Sequence, residues 1–159
     1  MLFDQETILF LKMAIDKDGF LELPADGNSM FPLIERGDVC RFVPCSRASF
    51  QRGDIILYHT GQGQLIAHRF IRQVANDCLF KGDTNLEYDK AVQSEQMIGK
   101  LTCIKKQRCE VSMDHSSVKR WGNLILALPA LSGLLRKYLN GKSYFAEMWS
   151  TLWRKVNSL

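Results

Sequence analysis

The sequence predicts a mainly β protein in which a compact antiparallel β domain lies between a short N-terminal helix and a C-terminal amphipathic helical hairpin. Short β-branched or alternating runs, separated by Gly, Asp, Asn and Gln, fill residues 18–112. From Val118 onward the spacing of apolar residues changes to about 3.6, the period of a helix. The 159 residues, 46% hydrophobic and 24% charged, suit one globular domain with an appendage. We therefore divide the chain into an N-terminal helix (1–17), a β domain (18–112) and a helical hairpin (113–159).

The segment ETILFLKMAI near the N-terminus predicts a short amphipathic helix. Its apolar stripe consists of Ile8, Leu9, Leu11 and Met13, and Lys12 and Asp16 add charge to the run. A secretory signal would need a basic start, an uninterrupted apolar core and a cleavage site of small residues. We expect no signal peptide here.

The β domain contains six segments with the composition of strands. In chain order they are GFLELP, VCRFVP, DIILYH, LIAHRFIRQV, DCLFKG and IGKLTCIKKQRCEV. Each is rich in β-branched, aromatic or aliphatic residues and is bounded by turn-forming residues. The polar linker SMDHSS follows, with Ser117 as the expected helix N-cap.

The C-terminal residues predict two amphipathic helices. The stripe of the first is Trp121, Leu124, Leu128, Leu131, Leu135 and Leu139. Asn140-Gly141 is expected to end it, and the second carries Tyr144, Phe145, Met148, Trp149, Leu152, Trp153 and Val156. Residues 118–157 then have two interpretations: packing on the β domain or a partner protein, or attachment to a membrane surface through tryptophans and flanking cations.

Composition narrows the class of protein further. The net charge is +4, and many of the cations lie in the C-terminal third. Five cysteines without a Cys-x-x-Cys pair predict reduced, buried thiols in a chain that faces the cytosol, and their spacing does not resemble a zinc site. The longest uncharged stretch has about fifteen residues and contains Pro129, whereas a membrane span needs about twenty. We expect a cytoplasmic protein, peripheral to the membrane if attached at all, with no metal and no other cofactor.

One serine lies in a setting that suits catalysis. Ser29 occurs in DGNSMFPLIERGD, among turn-forming residues, and a serine hydroxyl needs a base before it can act as a nucleophile. His59 and His115 lie at a strand end and in the polar linker, where solvated roles are expected. His68 lies inside the apolar strand LIAHRFI, and KGDTNLEYDK follows with Asp83, Glu87 and Asp89. A carboxylate that accepts the imidazole N–H would fix its tautomer.

Four ordered segments over residues 24–101 resemble the conserved boxes of the S24/S26 serine peptidases, the group of type I signal peptidases and LexA-like autoproteases. GNSMFPLIERGDV resembles the Gly-x-Ser-Met-x-Pro-x-(aliphatic)-x-x-Gly-Asp box that carries the nucleophile. QRGDIILYHTGQGQLIAHRFIRQV is similar to the box that carries the general base. LFKGDTNLEYD resembles the Lys-Gly-Asp-x-Asn box, and MIGKL the strand after it. The resemblance implies a signal-peptidase/LexA-like antiparallel β fold.

The resemblance also implies roles for individual residues. Ser29 matches the nucleophile, and the pair His68-Arg69 matches the histidine base of the endoplasmic-reticulum and archaeal type. A lysine base would need another register, because no lysine occurs between residues 17 and 81. Asp89 matches the third member of the triad, and Asp83 is the competing candidate.

The oxyanion and substrate sites follow from the same boxes. The Ser29 backbone N–H is the expected first oxyanion donor. Gly27 occupies the position where many bacterial signal peptidases have a second donor, a serine, and Asn28 is a substitute. Gly27, Met30 and Pro32 are expected to line a groove for an extended peptide.

The function expected from these residues is limited proteolysis of a leader- or signal-like peptide by a serine endopeptidase. Only 28 residues precede Ser29, so the transmembrane helix that precedes this box in signal peptidases is not expected. One alternative is an inactive peptide-binding module of the same fold. Another is a LexA-like self-cleaving transcriptional regulator, but one short helix ahead of the serine cannot form a helix-turn-helix, so no nucleic-acid partner is expected.

Overall fold

The computed structural model describes residues 2–142 and confirms a mainly antiparallel β protein with an N-terminal helix and two C-terminal helices. In chain order the elements are α1 (Gln5–Asp18), β1 (Leu21–Pro24), β2 (Val39–Val43), β3 (Ile55–His59), β4 (Leu65–Val74), β5 (Asp77–Lys81), β6 (Met97–Lys105), β7 (Glu110–Ser112), α2 (Ser116–Ala127) and α3 (130–142). Every strand pair among these residues is antiparallel.

The seven strands form one sheet in the order β1-β2-β6-β3-β4-β5, with β7 also paired to β6. Two long strands change partners along their length. β6 pairs with β2 over residues 100–105, and with β3 and β7 on its other side. β4 pairs with β3 over residues 65–69 and with β5 over residues 69–74. Residues 65–68 of β4 therefore have no strand partner on the β5 side within the described chain.

The core consists of two apolar clusters that meet at β3. Ile55 and Leu57 belong to one cluster, and Ile56 and Tyr58 belong to the other. Successive strand side chains point to opposite faces, so the unbroken apolar run of β3 is what a strand buried on both sides requires. This strand fixes the position of its neighbour β4, which carries His68.

Helix α1 forms where the sequence predicts it, but a different stripe faces the core. Asp4 caps its start by accepting a 2.8 Å hydrogen bond from the Thr7 N–H, and Gly19 ends it in the left-handed conformation. Ile8 and Ile15 are its buried residues. Leu9 and Met13 of the predicted stripe are 59% and 62% exposed, so that part of the prediction is wrong.

The C-terminal hairpin differs from its prediction at both ends of the first helix. The N-cap is His115, whose Nδ1 accepts from the Ser117 N–H, and Ser117 lies inside the first turn. The helix ends at Ala127, because proline cannot continue a helix and keeps the preceding residue out of the helical conformation. Leu128, before Pro129, has φ −122° and ψ 78°.

A new helix, α3, follows the proline. It includes Asn140 and Gly141, so the expected helix end at these two residues is wrong. The predicted second helix, with Trp149 and Trp153, lies outside the described residues. No helix in residues 2–142 combines the length and apolar character needed to cross a bilayer.

All five cysteines are free thiols. Cys40, Cys78 and Cys103 are buried, and burial raises the pKa of the Cys40 thiol to about 12. Cys45 is half-buried, and burial raises its pKa to about 11. Cys109 is exposed, which contradicts the predicted burial of every thiol. Within residues 2–142 no group of His, Cys, Asp and Glu is arranged to hold a metal ion.

Candidate active site

Ser29 lies in the loop between β1 and β2, and buried neighbours hold that loop in place. Met30 and Ile34 are 3% exposed, and the Ile34 N–H donates to the Met30 carbonyl at 3.1 Å. The Asn28 amide oxygen accepts from the Arg36 N–H at 2.9 Å. The Thr84 N–H donates to the Ser29 carbonyl at 2.9 Å. The backbone at the serine is thus tied to the protein on both sides.

His68 links the serine to a carboxylate. Its position on β4, opposite Ile56 of β3, brings the imidazole beneath the serine loop, where the residue is 5% exposed. Its Nε2 lies 2.9 Å from the Ser29 Oγ. Its Nδ1 lies 2.7 Å from the Asp89 Oδ2. The three side chains form one continuous chain of hydrogen bonds.

Asp89 is held by two contacts besides His68. Its backbone N–H donates to the Phe80 carbonyl at 2.9 Å, and its Oδ2 also accepts from the Tyr58 hydroxyl at 2.9 Å. Tyr58 is 1% exposed, and burial, followed by the negative charge of Asp89, raises the pKa of its hydroxyl far above the usual range. Tyr58 therefore remains a hydrogen-bond donor. Tyr58 was not predicted as a site residue, although it lies in the apolar strand segment DIILYH and buried tyrosine hydroxyls usually find a hydrogen-bond partner.

Asp83, the other candidate for the third position, contacts a different group. Its carboxylate forms a bidentate ion pair with Arg69, with Nε–Oδ1 and Nη2–Oδ2 distances of 2.8 and 2.7 Å. The Trp121 indole N–H donates to the Asp83 Oδ2 at 2.9 Å. Arg69 also donates to the Gly53 carbonyl at 2.9 Å. Of the two aspartates, Asp89 is the one hydrogen-bonded to His68.

The Gly82-Asp83 turn lies directly against the catalytic candidates. A Cβ atom added to Gly82 would lie 3.0 Å from the His68 Nε2 and 3.0 Å from the Asn85 amide group. A side chain at this position would therefore press on the imidazole, and glycine avoids that contact.

The Arg69–Asp83 pair is expected to support stability rather than chemistry. Both side chains are at most 3% exposed, so Asp83→Asn would leave a buried guanidinium without its counter-charge. We expect the free energy of unfolding to fall by about 3–5 kcal/mol, measured by urea denaturation followed by far-UV circular dichroism. The matched control is Glu22→Gln, which removes partly exposed ion pairs to Arg41 and Lys105 and should change the midpoint little. Equal small shifts in the two variants would contradict this role.

A groove of about 670 Å³ extends from Ser29 along the sheet. Residues 23–27 and 64–68 form its two sides. Its floor includes the buried side chains of Met30, Phe42 and Leu57. Gly27 and Met30 line the groove as expected from the sequence. Pro32 is not among its lining residues; it is exposed in the next part of the loop, after a cis peptide bond from Phe31.

The groove offers a free strand edge. Residues 65–68 of β4 lie along it, and on this side no strand in residues 2–142 pairs with them. An unpaired edge presents backbone N–H and C=O groups to which an extended peptide can add as a further strand. The pairing of such a peptide with β4 would end at His68, beside the Ser29 hydroxyl.

The Ser29 N–H is the available oxyanion donor. It donates to no backbone or side-chain acceptor among the described residues. Asn28, the substitute considered from the sequence, uses its amide oxygen to hold the Arg36 backbone. His59 and His115 lie elsewhere: His59 contacts the Thr60 carbonyl, and His115 caps α2.

Comparison with known proteins adds no identification. No protein-family model matches the chain, and a search of curated proteins finds no match.

Proposed function

We propose that this chain is a serine endopeptidase of the S24/S26 type, which cleaves an extended peptide through an acyl-enzyme on Ser29. The observation that carries the proposal is the hydrogen-bond chain from the Ser29 Oγ through His68 to Asp89, with distances of 2.9 and 2.7 Å. This is the order of nucleophile, base and orienting acid that serine hydrolysis needs. The ordered sequence boxes over residues 24–101 support the same assignment.

In the first half of the reaction, Asp89 accepts the His68 Nδ1–H, so the unprotonated Nε2 faces the serine. His68 takes the Oγ proton as Oγ bonds to the scissile carbonyl carbon, and the Ser29 N–H donates to the oxyanion that forms. The imidazolium then gives its proton to the leaving amine as the C–N bond breaks. This leaves an ester between Ser29 and the acyl half of the peptide.

The second half of the reaction repeats these roles with water. His68 takes a proton from the attacking water, and the oxyanion again lies at the Ser29 N–H. Collapse of this intermediate breaks the ester bond, and the proton returns to the Ser29 Oγ. The products are one carboxylic acid and one amine, with the enzyme restored.

The groove suggests the kind of substrate. The free edge of β4 suits an extended segment, and the apolar floor with Met30, Phe42 and Leu57 suits apolar side chains ahead of the cleavage site. A leader- or signal-like peptide has both properties. Limited proteolysis of such a segment is therefore the reaction we propose.

The proposed setting is the cytoplasmic side, because all five cysteines are free thiols, as expected in a reducing compartment. Exposed Leu134 and Tyr138 lie beside Arg136 and Lys137 on α3. This combination suits contact with a membrane surface or a partner protein.

Labelling with a fluorophosphonate probe tests the activity without knowledge of the substrate. Intact-mass analysis should show one adduct on the wild-type chain, and none on Ser29→Ala. Ser94→Ala, which removes an exposed hydroxyl between the third and fourth boxes, should be labelled like the wild type. A folded wild-type chain that takes no adduct yet binds apolar peptides would instead favour the inactive binding module.

A further inference from the structure

Ser29 lines two cavities. The first is the groove along β4, in which we place the acyl half of the substrate. The second has a volume of about 620 Å³ and lies between the serine loop and α3. Phe31, Thr84 and Asn85 line it from the body of the protein. Arg136 and Lys142 line it from α3. Ser29 and Asn85 line both cavities, so a bound peptide could pass from one to the other at the nucleophile.

An aromatic contact holds α3 at this position. The rings of Phe31 and Tyr138 stack with their centroids 5.7 Å apart and their planes at 20°. Phe31 is two residues from the nucleophile, so the same short loop presents Ser29 and anchors the helix. The α3 side chains that line the cavity thereby have a defined position relative to the reacting hydroxyl.

The charges of α2 and α3 are all of one sign. Residues 116–142 contain five cations and no acidic residue. Two of the five, Arg136 and Lys142, line the second cavity, and neither forms an ion pair within residues 2–142. Glu35 is the acidic residue among the lining, so the described lining carries an excess of positive charge.

We propose that this second cavity binds the part of the substrate that follows the scissile bond and favours Asp or Glu side chains there. The inference rests on the proposed function, because it takes the acyl half of the peptide to lie along β4. An extended chain advances about 3.3 Å per residue. The first residues beyond the scissile bond then enter the cavity that Ser29 lines together with Arg136 and Lys142. The substrate class becomes an apolar extended segment followed by an acidic one.

Peptide binding to the Ser29→Ala chain tests this without turnover. The probes are short fluorescein-labelled peptides with one apolar segment, followed by Glu, Gln or Lys residues, and affinity is read by fluorescence anisotropy. Glu peptides should bind about two- to fivefold more tightly per added charge than Gln peptides, the range for exposed ion pairs, and Lys peptides more weakly. Equal affinity across the series, or no binding of any peptide, would overturn the proposal.

Charge reversal on α3 locates the effect. Arg136→Glu with Lys142→Glu should remove the preference for Glu peptides and favour Lys peptides. The matched control is Lys137→Glu, an exposed cation of the same helix that does not line the cavity, and it should keep the original preference. The same loss in both variants would show a general charge effect and would refute the assigned site.

Fluorophosphonate labelling separates this inference from the proposed function. The small probe reaches Ser29 without filling the second cavity, so labelling of the wild-type chain and of the Lys137→Glu control reports the activated serine alone. Absence of labelling in the wild type contradicts the peptidase. Normal labelling with no acidic preference contradicts the cavity assignment alone.

Discussion

Replacing His68 by alanine is expected to lower the rate of Ser29 acylation by about 10⁴–10⁶-fold, the range in which loss of one triad member falls. The Ser29 Oγ lies 2.9 Å from the His68 Nε2, and without that acceptor the hydroxyl has no base. The measurement is the initial rate of adduct formation with a fluorophosphonate probe, followed by intact mass. Oxyanion stabilisation by the Ser29 N–H remains, so the residual rate should exceed that of Ser29→Ala.

The control for this variant is His59→Ala. His59 is half-buried at the end of β3 and contacts the Thr60 carbonyl rather than the serine. Its replacement should leave the acylation rate within about twofold, because its ring contacts none of the three residues that carry out the reaction. Far-UV circular dichroism establishes that both variants are folded. A folded His68→Ala chain that is acylated at the wild-type rate would disprove the mechanism.

The strands were predictable because their side-chain pattern reports burial directly. The unbroken apolar run at Ile55, Ile56, Leu57 and Tyr58 belongs to a strand covered on both faces. Helical periodicity does not show where one helix ends and the next begins. The apolar stripe of α2 continues across Pro129 with the right spacing, although the proline divides it into two helices. The period therefore predicted a helix but neither its end nor its buried face: Leu124 and Leu128 are 45% and 50% exposed, and Val118, Gly122 and Ile125 are the buried residues of α2.

The site was predictable only where a motif reports it. Ser29 and His68 are 39 residues apart in sequence, and the resemblance paired them. Which of Asp83 and Asp89 contacts His68 could be decided only from the folded structure. His68 and Arg69 are neighbours on β4, so their side chains point to opposite faces and require separate carboxylates. Which acid reaches which face depends on the path of residues 82–89.

The partners in two supporting contacts could not be paired from the sequence. Tyr58 and Asp89 are 31 residues apart, and Trp121 and Asp83 are 38 apart. Both contacts depend on how β3 and α2 pack against the loop between β5 and β6. The spacing of residues within one segment does not predict contacts between distant segments. The folded structure is therefore needed to identify Tyr58 and Trp121 as part of the site.

Asp89→Asn is expected to lower the acylation rate by about 10⁴-fold while the fold stays intact. An amide NH₂ facing the His68 Nδ1 would favour the tautomer that carries its proton on Nε2. That proton would point at the Ser29 hydroxyl, and the imidazole could no longer accept from it. Because His68 and Tyr58 both contact the Oδ2 position, the second N–H of the amide group would donate to the Tyr58 hydroxyl oxygen, so the buried tyrosine keeps a partner.

Two further variants separate orientation of the imidazole from loss of stability. Tyr58→Phe removes one hydrogen bond to Asp89 but leaves the carboxylate and the tautomer, so the acylation rate should fall by at most about tenfold. Asp83→Asn should destabilise the protein, yet under conditions where it is folded its acylation rate should stay far above that of Asp89→Asn. If Asp83→Asn instead gave the larger loss of rate in folded protein, the roles of the two aspartates would be reversed. The hydrogen bond of 2.7 Å between His68 and Asp89 would then have no catalytic consequence.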